Sequence, residues 1–268
     1  MIQTVYLDSM DAVKNMIFEQ QYDPQIQRMR GSFFYRGLPD ANYDLVTSLY
    51  RNCKDRCREL EAPLLENFIK YASIEDPAIS DSIWEAMIVG QHHGLPTRLL
   101  DWTPSTLVAL HFANTEENLD KLGKRDCAVW RIDMREFKQN LPRKYREELD
   151  RRDSFVFSVS ALSRLAGSIA QYDADMGDRA IACLEPPSVD QRIVNQYSFF
   201  SVIPQGVQDL EGYLDQNTEN TVKYVISRNL RWDLRDILDQ FNVNERIIYP
   251  GIDGISRWLA RYYFVRPK

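Results

Sequence analysis

One segment, QHHGLPTRLLDWTPSTLVALHFA at residues 91–113, constrains the fold more than any other. Its Gly94, Pro96 and Pro104 punctuate two apolar runs. A helix over residues 81–92, capped by Asp81, must end at Gly94-Leu95-Pro96, because the residue before a proline is driven out of the helical region. The next helix starts at Thr103, with Pro104 in the first position where a missing N–H costs nothing, and runs through Ala113. Between them lies a loop pinned by glycine and proline that carries Arg98, Asp101 and Trp102.

All three histidines of the chain fall in this segment, which raises the question of a metal. Spacing argues it away. His92 and His93 are adjacent, so on a helix they point roughly 100° apart and cannot face one ion together. The two-histidine zinc-protease pattern with an intervening glutamate is absent. His111 sits on an apolar helix face and reads as a core histidine bonded to a buried backbone group. Arg98 and Asp101, three apart, support two readings. They form an ion pair that pins the turn under Trp102, with Thr97 and Thr103 as caps, or they join His92 in facing a ligand.

With 44% hydrophobic residues in 268, the core needs neither metal nor disulfide to close. The four cysteines (Cys53, Cys57, Cys127 and Cys183) have no zinc-site spacing. Sparse thiols and the lack of an N-terminal leader point to a reducing, cytoplasmic setting. No apolar run approaches the ~18 residues of a membrane span, so no membrane partner is expected. The net charge of −6 argues against broad electrostatic binding to nucleic acid, while 33 Lys and Arg leave room for a local basic groove.

Elsewhere the pattern alternates irregularly. A short strand and a helix starting at Asp8 or Ser9 open the chain. Residues 32–36 form an aromatic strand broken by Gly37, and 54–73 an amphipathic helix divided by Pro63. Strands follow at 127–134, 179–186, 196–204 and 222–229, then a helix at 234–243. A short apolar strand comes after Glu245, and Asp253 lies in a glycine-bounded turn. This order predicts an α+β fold: one domain with a mixed, mainly antiparallel sheet and helical insertions. A strand/helix segment at 1–29 precedes a main domain at 30–268.

Chemistry is suggested at three further places. Arg36, at the end of the aromatic strand, can aim its planar fork into a cleft while Gly37 lets a ligand approach the backbone. A surface arginine beside a turn glycine is the other reading. In a strand over 196–202, Gln196, Ser198 and Phe200 share one face. They line a pocket, or they lie in water on an edge strand. Glu245 and Asp253 are late acids. No P-loop, G-x-G-x-x-G or G-x-S-x-G occurs, which removes ordinary NTPase, Rossmann and α/β-hydrolase readings.

Taken together, these segments resemble the FRG-domain family, named for a Phe-Arg-Gly tripeptide. Tyr35-Arg36-Gly37 is similar to that tripeptide, and residues 91–103 resemble the central motif almost residue for residue. Arg192-Ile193, Gln196 and Phe199 or Phe200 are similar to a third motif, and Tyr249-Pro250-Gly251-Ile252-Asp253-Gly254 to the last. The resemblance spans residues 30–260.

An arginine and glycine after an aromatic strand are also similar to the first motif of ADP-ribosyltransferases, and this resemblance implies an ADP-ribosyltransferase-like fold. It further implies NAD as substrate without a metal, and a macromolecular acceptor, nucleic acid (perhaps RNA) ahead of protein. The implied role is a toxin of a bacterial toxin–antitoxin or anti-phage module with a cognate antitoxin. In that picture Arg36, His92, Asp101 and Glu245 are catalytic, and Arg36, Gly37, Arg98, Gln196, Ser198 and Phe200 hold the dinucleotide. The late acid in that picture is Glu245 or Asp253. No strand here carries the Glu-x-Glu or Gln-x-Glu pattern, so the catalytic acid is unassigned, with Asp101 or Glu245 to stabilise the cation. The alternatives are a non-catalytic nucleotide-binding or interaction module and an NAD glycohydrolase.

Overall fold

Two four-stranded sheets meet at one seam, and the candidate site is built across it. The computed structural model describes residues 1–19, 22–24, 27–188 and 191–266. Its strands are β1 (Gln3–Leu7), β2 (Tyr22–Asp23), β3 (Arg28–Met29), β4 (Phe33–Leu38), β5 (Leu99–Trp102), β6 (Cys127–Asp133), β7 (Phe157–Ser158), β8 (Ala182–Glu185), β9 (Phe199–Val202) and β10 (Val222–Ile226). The first sheet has the order β1-β10-β6-β4, the second β5-β9-β8-β7, and β2 and β3 make a small separate pair. Each large sheet has one parallel pair, β1 with β10 and β7 with β8, and is otherwise antiparallel. The fold is α+β, with mixed, mainly antiparallel sheets.

Period-two alternation explains the layering. In β6, Cys127 and Val129 face a core formed with helices Met10–Ile17, Thr106–Ala113 and Arg231–Gln240. Trp130 and Ile132, on the opposite face, meet Leu100, Trp102 and Cys183 of the second sheet. The second sheet turns Leu99, Leu184, Phe200 and Val202 to a third core with Trp84, Tyr145 and Tyr172. The two sheets thus share one core and each has a helical outer layer.

At the seam, Tyr35 of β4 and Thr103 exchange both backbone hydrogen bonds, at 2.8 and 2.9 Å. Both backbone groups of Thr103 are therefore engaged, and no helix can begin there. The helix starts instead at Thr106, capped by Ser105, whose Oγ accepts from the Val108 N–H. The segment before it, expected as a loop, is strand β5, paired antiparallel with β9. Neither Thr97 nor Thr103 caps a helix. Thr97 Oγ1 accepts from the Leu99 N–H, and Thr103 Oγ1 from the Ser105 N–H.

Other boundaries also shift. Ser82, not Asp81, caps the Ile83–His92 helix. Pro63 does not divide the helix Cys57–Ala72. It sits on an exposed turn, where water can serve the carbonyl left without a donor. The apolar stretch after Glu245 is a helix, Glu245–Ile248, because ion pairing draws Glu245 against the neighbouring helices. Asp253 lies in the first turn of the helix Ile252–Tyr262 and not in an isolated turn.

Gly37 continues β4 instead of breaking it. A Cβ at this position would stand 2.0 Å from the Ala109 carbonyl oxygen and 2.4 Å from the Ala113 nitrogen. The backbone that approaches Gly37 is therefore a helix, not a ligand. The fully buried Arg231 fixes that contact. It donates to the Ala113 and Thr115 carbonyls at the helix C-terminus and to the Pro39 carbonyl just past β4.

Candidate functional site

Arg36 on β4 and Asp101 on β5 face each other across the seam. Arg36 Nη1 donates to the Asp101 carbonyl oxygen at 2.9 Å and stands 3.4 Å from its Oδ2. The same carboxylate accepts from Gln91 Nε2 at 3.0 Å, and Gln91 Oε1 accepts from Thr97 Oγ1. Asp101 is thereby oriented by two donors while its side chain stays 51% exposed. Arg36 is 17% exposed and its Nε is buried without an acceptor. Burial pushes its guanidinium below the ordinary value, Asp101 pulls it back, and nearby Arg51 adds repulsion.

Arg98 does not pair with Asp101. Residues three apart along an extended chain point to opposite sides, so Arg98 turns inward. It is 3% exposed and makes bidentate bonds to two acids: Nε to Glu61 at 2.6 Å with Nη2 on the other Glu61 oxygen, and Nη1 to Asp173 at 2.6 Å with Nη2 at 3.2 Å. Burial alone would depress this guanidinium, but the bonds to Glu61 and Asp173 outweigh it and raise it. Trp102 is held separately, its Nε1 donating to Ser201 Oγ at 2.9 Å. Arg98 braces β5 against Glu61 and Asp173, on the side away from Asp101, where with Glu61 it lines a separate cavity of about 300 Å³.

Gln196, Ser198 and Phe200 share no strand face. Gln196 ends a short helix, Gln191–Gln196, and donates to the Ile248 carbonyl at 3.2 Å. Ser198 lies before β9, and Phe200 is buried in the core of the second sheet. Tyr249, which the last motif contains but which had no assigned role, is an aromatic ring flanked by two arginines. Arg192 and Arg257 stand 5.2 and 5.8 Å from its centroid, and Phe112 packs at 6.4 Å. Burial pushes the Tyr249 hydroxyl up, the two arginines pull it down, and Glu245 and Asp101 push it up again. Tyr249 is thus within electrostatic reach of both candidate acids.

Glu245 itself is engaged elsewhere. Arg261 holds both of its oxygens, at 2.7 and 2.8 Å, and also both oxygens of Asp239. Burial would raise the Glu245 carboxyl, but Arg261 holds it down to about 2. His92 ends its helix with its ring 5.1 Å from that of His93, edge to face. His111 is buried as expected, its Nδ1 3.0 Å from Arg235 Nη1. Among the described residues no group of three or more His, Cys, Asp or Glu is placed to hold a metal.

His111 carries a pH dependence. Burial, reinforced by Arg235, lowers its pKa from 6.5 to about 3, so the fold favours the neutral ring. That contribution is complete above about 6.5 and is lost as the pH falls towards 3, and below about 4.5 Glu245 adds its own loss. The melting temperature is expected to fall from pH 7 to pH 5, and His111→Gln to flatten this decline. Equal slopes for the two proteins over that range would refute the assignment.

Gln91, Arg192, Tyr249 and Arg257 were not singled out by sequence, although three of them fall inside quoted motifs. The signal available for Tyr249 was its place beside Pro250 and Gly251; Arg257 offered none. Among the described residues no helix is long and apolar enough to cross a membrane. No curated protein and no solved structure matches the chain. A family model does match, over residues 31–121, the stretch that holds Arg36, Gly37, Gln91, Arg98 and Asp101. Residues 31–121 thus match the FRG domain, and the bridge that joins the two sheets is formed within that segment.

Proposed function

We propose that this chain is an NAD-dependent ADP-ribosyltransferase acting on a macromolecular acceptor, nucleic acid ahead of protein. Its biological role in this reading is a toxin of a bacterial toxin–antitoxin or anti-phage module. The observation that carries the proposal is the half-exposed Asp101 carboxylate, fixed by Arg36 and Gln91. Cleavage of a nicotinamide–ribose bond builds positive charge on the sugar, as glycoside cleavage does. A carboxylate already oriented before the charge develops stabilises it without reorganisation.

Asp101 is favoured over Glu245 because Arg261 already occupies both Glu245 oxygens. Phe200 is enclosed by core residues and is dropped as a ring on which a flat base could stack. His92 follows Gln91 on the same helix end and is retained for proton transfer.

The test is incubation with labelled NAD and cell extract, following label transfer and free nicotinamide. Transfer is expected for the wild type. Asp101→Asn is expected to lower it by about 10²–10³-fold, with an unchanged circular dichroism spectrum and melting temperature. Nicotinamide released without transfer would make the protein a glycohydrolase. Neither product from folded protein would leave a nucleotide-binding module without catalysis.

A further inference from the structure

We infer that Arg192, Tyr249 and Arg257 form a seat for the diphosphate of a nucleotide, with Arg36 positioning Asp101 instead of clamping phosphate. The inference rests on reading the Arg36–Asp101 pair as part of a nucleotide site, and it reassigns the anion contact within that site.

The first support is how the arginines are committed. Arg36 uses Nη1 on Asp101, and its Nε is walled off from solvent without an acceptor. That leaves only Nη2 uncommitted, so neither the Nε–Nη2 nor the Nη1–Nη2 edge is open for the two-pronged grip that phosphate favours. Arg192 differs. Its Nε is buried, but its two terminal nitrogens make no hydrogen bond among the described residues and are not buried with it. They form an open fork. Arg257 is exposed.

Charge balance supplies the second support. The chain has 39 acidic residues against 33 Lys and Arg, so a surface arginine has ample opportunity to meet a carboxylate. Yet no described acid lies within ion-pair distance of Arg192 or Arg257, although both stand within 5.8 Å of one ring centroid. The acids that Tyr249 senses are engaged elsewhere, Asp101 by Arg36 and Glu245 by Arg261. Two cations at one ring without an acid partner among the described residues repel each other, and an anion between them relieves this.

The third support is rigidity. Asn195 Nδ2 donates to the Ile247 carbonyl at 2.6 Å and Gln196 Nε2 to the Ile248 carbonyl at 3.2 Å. These bonds stitch the Arg192 helix to the segment before Tyr249. A Cβ on Gly254 would stand 1.7 Å from the Tyr249 carbonyl oxygen, so the Arg257 helix sits directly on the same corner. Tyr249 adds a hydroxyl donor kept protonated by burial, with no hydrogen-bond partner among the described residues. Two guanidinium groups and a phenol suit a diphosphate better than a carboxylate.

The experiment is calorimetric titration of the full chain with inorganic pyrophosphate and with ADP-ribose, alongside NAD turnover. Both probes should bind the wild type. Arg192→Ala and Arg257→Ala should each weaken both by about ten- to a hundredfold, with affinity falling as salt rises. Arg192→Lys keeps the charge without the fork and should fall between wild type and Arg192→Ala. Arg36→Ala should change pyrophosphate affinity by less than about threefold while abolishing turnover. Wild-type protein that binds neither probe overturns the seat, as do arginine variants that bind like wild type. Pyrophosphate binding without NAD turnover would sink the transferase reading and leave the seat standing. Turnover with wild-type kcat/KM in both arginine variants would do the reverse.

Discussion

Gly37→Ala is expected to yield little or no folded protein. The added methyl would lie 2.0 Å from the Ala109 carbonyl oxygen and 2.4 Å from the Ala113 nitrogen, both backbone atoms of a helix. A flexible side chain could swing aside, but a hydrogen-bonded helix must move as a body. Arg231 ties this helix to the end of β4 and opposes that movement. Overpacking a core ordinarily costs about 1–3 kcal/mol, and a backbone clash this close lies at or beyond the upper end. Against a typical total stability of about 5–15 kcal/mol, such a loss empties the native state or nearly so. Soluble yield and far-ultraviolet circular dichroism would report it. A folded variant with a wild-type melt and impaired ligand binding would return Gly37 to the role of a ligand-approach glycine.

Arg98→Met should produce the second largest effect, and it separates the brace from the site. Removing the guanidinium strands Glu61, whose side chain is 6% exposed, and takes two bonds from Asp173. Breaking a buried pair in this way costs about 3–5 kcal/mol. For a chain of this size the melting temperature should fall by roughly 10 °C. Replacing both partners, as Arg98→Met with Glu61→Leu, should recover part of the loss, because no stranded charge remains at position 61. Asp101→Asn, half-exposed and only three residues away, should melt within about 2 °C of wild type. Equal melting of Arg98→Met and wild type would place Arg98 outside the core and reopen its pairing with Asp101.

These two residues also show where sequence reading stops. The α+β class, the β6 strand and the core placement of His111 follow from alternation and spacing, which are local. β5 is four residues with no polar alternation, and it is a strand only because β9 lies beside it. Once it is extended, Arg98 and Asp101 must diverge, and the ion pair expected from their spacing disappears. The partners Arg98 does find are 37 and 75 residues away. Gln196 illustrates the same limit from the other side, since a helix of six residues carries too few positions to display a period. Arg36 and Asp101 were legible because each sits inside a motif. That they touch was not, because the bridge between Tyr35 and Thr103 is a tertiary contact.

The seam has a consequence for what can exist on its own. Within residues 31–121, β4 and the end of β5 are joined by one backbone bridge and the Arg36–Asp101 contact, while their full ladders run to β6 and β9, beyond residue 126. Cut out as a fragment, the segment that identifies the family would present two bare strand edges and an uncovered apolar helix. It is a signature without autonomy: the most recognisable third of the chain depends for its shape on the two thirds that the family model leaves unmatched.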